Sequence, residues 1–234
     1  MNTNQIILLN DILKLELEKY KLKTTDNLKK SFQIASSAKN INSVIFQRII
    51  DNSEYKNKLN ENFDQNKVVI KTVNLEWNNS LKESMSLNVF KYCDIVNEEW
   101  QNSKLRDYFF NSIFVFVVFK KTTNSSVLED IKVWTMPIEI LDGGVRKVWE
   151  DTKDKIANGK IVNYIDTRGR NITYFLASSD TKYIHVRPHA QNKMDTLPLP
   201  VPDKTTGATS FVKQSFWLNS NFIKKIVVDG RYYE

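Results

Sequence analysis

Tyr183-Ile-His-Val-Arg-Pro-His-Ala-Gln-Asn192 reads as a short strand that stops at a proline. Ile184 and Val186 alternate with His185 and Arg187, the period of two that separates the faces of a sheet. Pro188 has no N–H to give a ladder and drives Arg187 into an extended conformation. The strand therefore ends by presenting Arg187 and His189 from a fixed edge, with the amide pair Gln191-Asn192 just beyond. Arginine on a stiff strand end suits guanine, because its fork matches the O6/N7 pair in the major groove. Plain packing is the competing reading of the same position.

The segments around this strand alternate between helical and extended patterns. Asn2–Tyr20 is helical, with Ile6, Leu9, Leu13 and Leu17 at three- and four-residue spacing. Leu28–Ile50 holds one or two further helices, and the charged Asp51–Asn66 is a loop or a loose helix. Val68–Leu75 is rich in β-branched residues, and Ile113–Phe119 has the unbroken apolar character of a central strand buried on both faces. Ile131–Met136 alternates and ends at Pro137. Asp142-Gly143-Gly144 resembles a turn, followed by a helix from Gly144 to Ala157 that Gly159 stops. Ile161–Ile165 and Ile172–Ala177 are strands joined through Arg168-Gly169-Arg170. Asn192–Ser210 carries Pro198, Pro200, Pro202 and Gly207 and reads as a long loop. Ser215–Leu218 is a last strand leading into a helix over Ser220–Val228. The expected class is α/β (α+β): a mixed sheet flanked by helices, with a helical N-terminal region.

Composition narrows the function. The chain has 234 residues, enough for a substantial core. No stretch approaches the roughly 20 apolar residues of a membrane span, and the N-terminus lacks the basic start of a signal peptide. Cys93 is the one cysteine, which excludes an internal disulfide framework and a cysteine-rich zinc site. A cytoplasmic setting and no membrane partner are the expectations. The net charge of +7 favours an anionic partner. From Lys160 to Glu234 eleven Lys/Arg face six Asp/Glu, so most of the excess lies in the last third.

Three segments then occur in an informative order: Asn62-Phe63 with Lys67-Val-Val-Ile-Lys-Thr-Val73, Tyr183 to Ala190, and Lys213-Gln-Ser-Phe-Trp-Leu-Asn-Ser-Asn-Phe-Ile-Lys-Lys225. Together they resemble the MutH-type endonucleases. The resemblance is closest to the C-terminal, second MutH-like domain of type II restriction endonucleases that cut at GATC. It covers roughly Asn27 to Val228, which leaves residues 1–26 as an N-terminal helix and joint and residues 27–234 as the MutH-like DNA-binding domain. The resemblance implies a restriction-endonuclease-like fold, whose active members cut DNA with magnesium. Their site needs an Asp, a Glu-x-Lys on the next strand and a Glu from an earlier helix. Those carboxylates hold the hard cation, and the metal activates water while lysine assists the nucleophile.

The matching positions here are Gln47, Asn62, Val69 and Lys71. Only the lysine survives, and valine offers a metal nothing. The resemblance therefore implies a scaffold kept for binding, with no metal and no cofactor of its own. In the two-domain enzymes such a domain binds a second copy of the recognition site and activates a catalytic MutH-like domain on the same or another chain. Asp64 and Glu61 lie nearby in sequence and keep open the alternative, an active magnesium-dependent endonuclease with an altered acidic site.

By the same resemblance, Arg187, Pro188 and His189 would contact the bases of duplex GATC, with Trp217 helping from the neighbouring strand. Arg168, Arg170, Lys193, Lys213, Lys224 and Lys225 would meet phosphates, setting affinity and salt dependence rather than sequence choice. His185 faces away from Ile184 and Val186. Lys71 must reach either solvent or an anion, a phosphate or a structural carboxylate, and Trp100, Trp134 and Trp149 sit in apolar patterns suited to packing.

Overall fold

The computed structural model describes residues 3–35 and 40–230, with side chains described throughout except at 3–5, 64 and 65. The chain opens with helices α1 (Thr3–Glu18), α2 (Thr25–Ser31), α3 (Ile41–Asp51) and α4 (Lys56–Gln65). Strands β1 (Lys67–Leu75) and β2 (Met85–Val89) follow, then α5 (Tyr92–Ile95) and α6 (Lys104–Phe110). Next come β3 (Ser112–Lys121), β4 (Ser126–Trp134), the short α7 (Ile138–Ile140) and α8 (Arg146–Ala157). Strands β5 (Val162–Ile165), β6 (Asn171–Thr173), β7 (Ile184–Pro188), β8 (Thr196–Pro198), β9 (Ser210–Val212) and β10 (Gln214–Leu218) lead to α9 (Ser220–Lys224). These elements form two compact units, each woven from separate stretches of chain.

The first unit takes residues up to Lys82, Phe109–Thr135 and the segment from Lys224 onward. Its sheet has the order β1-β3-β4, with β1 parallel to β3 and β4 antiparallel to it. The unbroken apolar run of β3 matches its middle position, for Ile113 through Phe119 are all buried. Ile113, Val115, Val117 and Phe119 share one core with Leu9, Ile12, Leu13 and Leu17 of α1 and with Ile45, Phe46, Ile49 and Ile50 of α3. On the alternate face Phe114 and Phe116 pack against Trp134 in tilted arrangements at centroid distances of 5.5 and 6.0 Å. The charged Asp51–Asn66 segment resolves into a helix, α4, anchored by Leu59.

The second unit comprises Glu83–Tyr108 and Met136–Ile223. Its main sheet is antiparallel in the order β2-β10-β7, and β5-β6 and β8-β9 form separate hairpins. Strand β2 is not among the strands expected above, although Met85, Leu87 and Val89 alternate with Ser86 and Asn88 over its five residues. Its register against β10 shifts between Ser215 and Trp217.

Two expectations change here. Asp142-Gly143-Gly144 is not a simple turn but part of a wide π turn, Leu141–Val145, inside a helical run that starts at Ile138. Asp142 accepts hydrogen bonds there from Trp100 Nε1 at 2.7 Å and from Arg106 Nε at 2.9 Å. Gly144 is required because a Cβ would sit 2.5 Å from the Tyr183 ring. The proline-rich Asn192–Ser210 segment is likewise not a plain loop, since β8 and the start of β9 pair across it in register Thr196↔Val212 to Pro198↔Ser210.

Between β8 and β9 the chain folds around Asp203, which is 1% exposed. Its Oδ2 accepts the N–H groups of Ile161 and Val162 at 3.0 and 2.9 Å. Its Oδ1 accepts the N–H of Thr205 and Thr206 and the Thr206 hydroxyl. Burial pushes this carboxyl up, yet the donors outweigh burial and hold it below the usual carboxylate range.

Candidate nucleic-acid interface

Strand β7 ends as its sequence dictates. Gln214 stands opposite Pro188, Ser215 opposite Arg187 and Trp217 opposite His185. After the proline one more bond forms, from His189 N to the Lys213 carbonyl at 2.9 Å, and pairing then stops. Residues opposite one another on paired strands share a face. His185, Arg187, Ser215 and Trp217 therefore stand on one side of the sheet, while Ile184, Val186, Phe216 and Leu218 point into the core on the other.

Along that outer face the environment grades from buried to exposed. His185 is buried, and its Nδ1 lies 2.6 Å from Asn219 Oδ1. Asn219 Nδ2 donates to the Thr181 carbonyl at 2.8 Å, so the amide oxygen must face the ring and Nδ1 carries the proton. Burial pushes the His185 imidazole below its ordinary value, and the charge of Arg187 acts in the same direction. His185 is a neutral structural histidine in this setting.

Two residues further, Arg187 is exposed, and its guanidinium carbon sits 4.6 Å from the centre of the half-buried Trp217 ring. The indole thus supports a flat, oriented fork. His189 packs on the same ring at a centroid distance of 5.6 Å. Trp217 Nε1 is buried and has no hydrogen-bond acceptor. His189 and Trp217 line an open groove of about 520 Å³ together with Val89, Pro188, Ala190, Gln191, Asp195 and Lys213.

The basic residues expected at phosphates are spread more widely. Lys213 Nζ is held 2.5 Å from Asp195 Oδ1, and that ammonium lowers the Asp195 carboxyl. Sequence reading missed Asp195 as a groove residue, because nothing local marks its partner 18 positions later. Arg170 is likewise paired, with Asp166 at 2.7 Å, on the turn of the β5-β6 hairpin. Arg168 and Lys193 are exposed. Lys224 and Lys225 are half-buried and begin the last segment of the first unit, whereas Arg187 belongs to the second.

The positions that match nuclease acids all lie in the first unit. Gln47 is exposed on α3 and donates to Asp51 within its own helix. Asn62 lies on α4 and donates Nδ2 to the Lys58 carbonyl at 2.7 Å. Val69 and Lys71 share a face of β1, opposite Phe114 and Phe116 of β3. Burial against this apolar face lowers the Lys71 ammonium. Gln47, Asn62, Val69 and Lys71 do not fit a magnesium ion, which needs charged oxygen ligands to offset its dehydration. Glu61 is exposed on α4, and the side chain of Asp64 lies outside the described residues. Among the described residues no three of His, Cys, Asp and Glu gather as a metal site requires, and no helix is long and apolar enough to cross a membrane.

With this geometry in view, the relatives are informative. Residues 52–141 match the family model described as the DNA mismatch repair enzyme MutH, a segment that includes Asn62, Val69 and Lys71. The chain belongs to the MutH-like family, and its mixed α/β architecture is the restriction-endonuclease-like fold of that family. Beyond that segment, the likeness extends over 251 aligned residues, at 30% identity, to the type II restriction enzyme Sau3AI of Staphylococcus aureus. That alignment takes in 94% of this chain and 51% of the relative, so the chain spans about half the length of the protein it matches.

Proposed function

We propose that this chain binds double-stranded DNA sequence-specifically at GATC, and serves as the allosteric, catalytically inert unit of a type II restriction endonuclease. The observation that carries the reading is the contrast between two strands. At the end of β7, Arg187 is exposed and oriented on Trp217 beside an open groove. On β1, the position that would hold a metal-binding glutamate is Val69, set against Phe114.

Arg187 forks to the guanine O6/N7 pair, and the groove admits the base edges. Trp217 Nε1 is buried, so the indole acts as the platform that carries Arg187 and not as a donor to the bases. Lys193 and Arg168, both exposed in the second unit, add charge for phosphates. Lys213 and Arg170 arrive already paired with carboxylates and contribute less net charge. The partner is a catalytic MutH-like domain on the same or another chain.

Titration with a GATC duplex and a scrambled duplex at about 0.15 M salt tests this, since nonspecific binding is then weak. Tighter binding of GATC is the expected result, and equal affinities would remove the sequence-specific reading. The second reading is a magnesium-dependent endonuclease built on Lys71. The presence of this lysine on β1, within the segment that matches the MutH family model, favours it. Supercoiled plasmid incubated with magnesium or manganese decides between the two, provided any cleavage is lost in Lys71→Ala.

A further inference from the structure

The β5-β6 hairpin has more built into it than a connection needs. Its base is fixed to the reading strand, because Val186 N donates to the Leu176 carbonyl at 3.1 Å, one residue before Arg187. Tyr174 N donates to the Ile161 carbonyl at 2.9 Å, and Lys155 Nζ donates to the carbonyl of Tyr174. Asp203 holds the N–H groups of Ile161 and Val162, where the hairpin begins. The tip is fixed as well. Asp166 accepts the N–H groups of Arg168 and Arg170 at 2.9 and 2.8 Å and the Arg170 guanidinium, and Gly169 adopts φ +72° to close the turn.

Between these two fixed ends the ribbon exposes apolar surface. Tyr164 stands opposite Ile172, beside a register shift between Val162 and Tyr164, and Tyr174 follows directly after the end of β6. Tyr164 is 52% exposed, Tyr174 43% and Ile165, on the same ribbon, 56%. Lys160, Arg168 and Arg170 outnumber the lone Asp166, which is taken up by the turn itself. A rigid two-stranded ribbon with an aromatic flank and a basic tip is complementary to a polyanion with flat sugar surfaces.

We infer that the β5-β6 hairpin is a second DNA-binding element, an arm that grips the sugar–phosphate backbone beside the recognition site. This rests on the DNA-reading proposal above and extends it. Tyr164 and Tyr174 pack on deoxyribose and donate their hydroxyls to phosphate oxygens, while Arg168 meets a phosphate at the tip. From Val162 to Thr167 the ribbon reaches roughly 17 Å at about 3.3 Å per residue. That distance corresponds to about five base pairs of duplex, so an arm of this reach, laid along the duplex, extends past a four-base-pair site.

The test uses the full chain and two GATC duplexes, one with about three and one with about ten flanking base pairs on each side. Wild-type protein should bind the longer duplex roughly tenfold tighter than the shorter. Tyr164→Ser combined with Tyr174→Ser should remove that length advantage. Arg168→Ala, at an exposed position that perturbs no packing, should lower the slope of log affinity against log salt by about 1 on the long duplex only. Equal binding of both duplexes by the wild type, or a full length advantage in both variants, overturns the inference. A change in self-association with DNA binding unaltered also overturns it, since the ribbon would then dock protein. The preference for GATC over a scrambled sequence, measured on the short duplexes, reports separately on the Arg187 reading.

Discussion

Replacing Asp203 by Asn tests whether one buried carboxylate organises the proline-rich segment that precedes β9. The side chain accepts five hydrogen bonds, two at Oδ2 from Ile161 and Val162 and three at Oδ1 from Thr205 and Thr206. Asparagine keeps one acceptor oxygen and sets an NH2 group against donors. If the amide oxygen stays toward the Thr206 cluster, two buried N–H groups lose their acceptor and meet a donor instead. Each stranded buried donor costs about 1–3 kcal/mol, so the variant should lose roughly 3–4 kcal/mol. Urea unfolding followed by tryptophan fluorescence at pH 7 measures this. Asp195→Asn serves as the control, because its contacts, the pair with Lys213 and the N–H of Gln191, are partly exposed, and it should cost below about 1 kcal/mol. The pH dependence has a definite sign. The Asp203 carboxyl is held low in the folded protein, so its contribution is complete above the unfolded value near 4 and fades as pH falls below it. The gap between wild type and variant should therefore shrink in acid. A loss under about 1 kcal/mol for Asp203→Asn would refute the reasoning.

Other predictions are simpler. Arg187→Lys keeps the charge but loses the fork, so affinity for GATC should fall by about 1–3 kcal/mol while a scrambled duplex binds as before; equal losses on both would make Arg187 a phosphate contact. Gly144→Ala drives a methyl into the Tyr183 ring and should destabilise by about 1–3 kcal/mol, visible as a lower urea midpoint. His185 has a folded value below its ordinary one, so the unfolded chain takes up its proton first. Stability should decline as pH falls below about 6.5, and His185→Gln should flatten that decline; an equally steep decline in the variant would assign the effect elsewhere.

Much of the fold was legible where burial leaves a local pattern. The apolar run of β3 announced a middle strand, and Pro188 announced the end of β7. Other parts were hidden because their cause is distant in sequence. Three prolines made Asn192–Ser210 look like open loop, yet Asp203 closes it with donors some 40 residues earlier. Gly143 and Gly144 looked like a break before a helix, but they sit in a π turn fastened by Trp100 and Arg106. The candidate site divides in the same way. Arg187, His189 and Trp217 could be named from their segments, and the structure brings them to one ring. The pairing of Lys213 with Asp195 and of Arg170 with Asp166 emerges only in three dimensions, and it separates basic residues that a count of charges treats alike.

The central claim is that Arg187 reads guanine, and removing one acceptor atom addresses it most directly. Binding is compared on a GATC duplex and on the same duplex with 7-deazaguanine, which lacks N7 but still forms its base pairs. Wild-type protein should lose about 1–2 kcal/mol, roughly 5- to 30-fold, and Arg187→Ala should bind the two duplexes equally. Indifference of the wild type to the missing nitrogen, or the same loss in Arg187→Ala, would contradict the account.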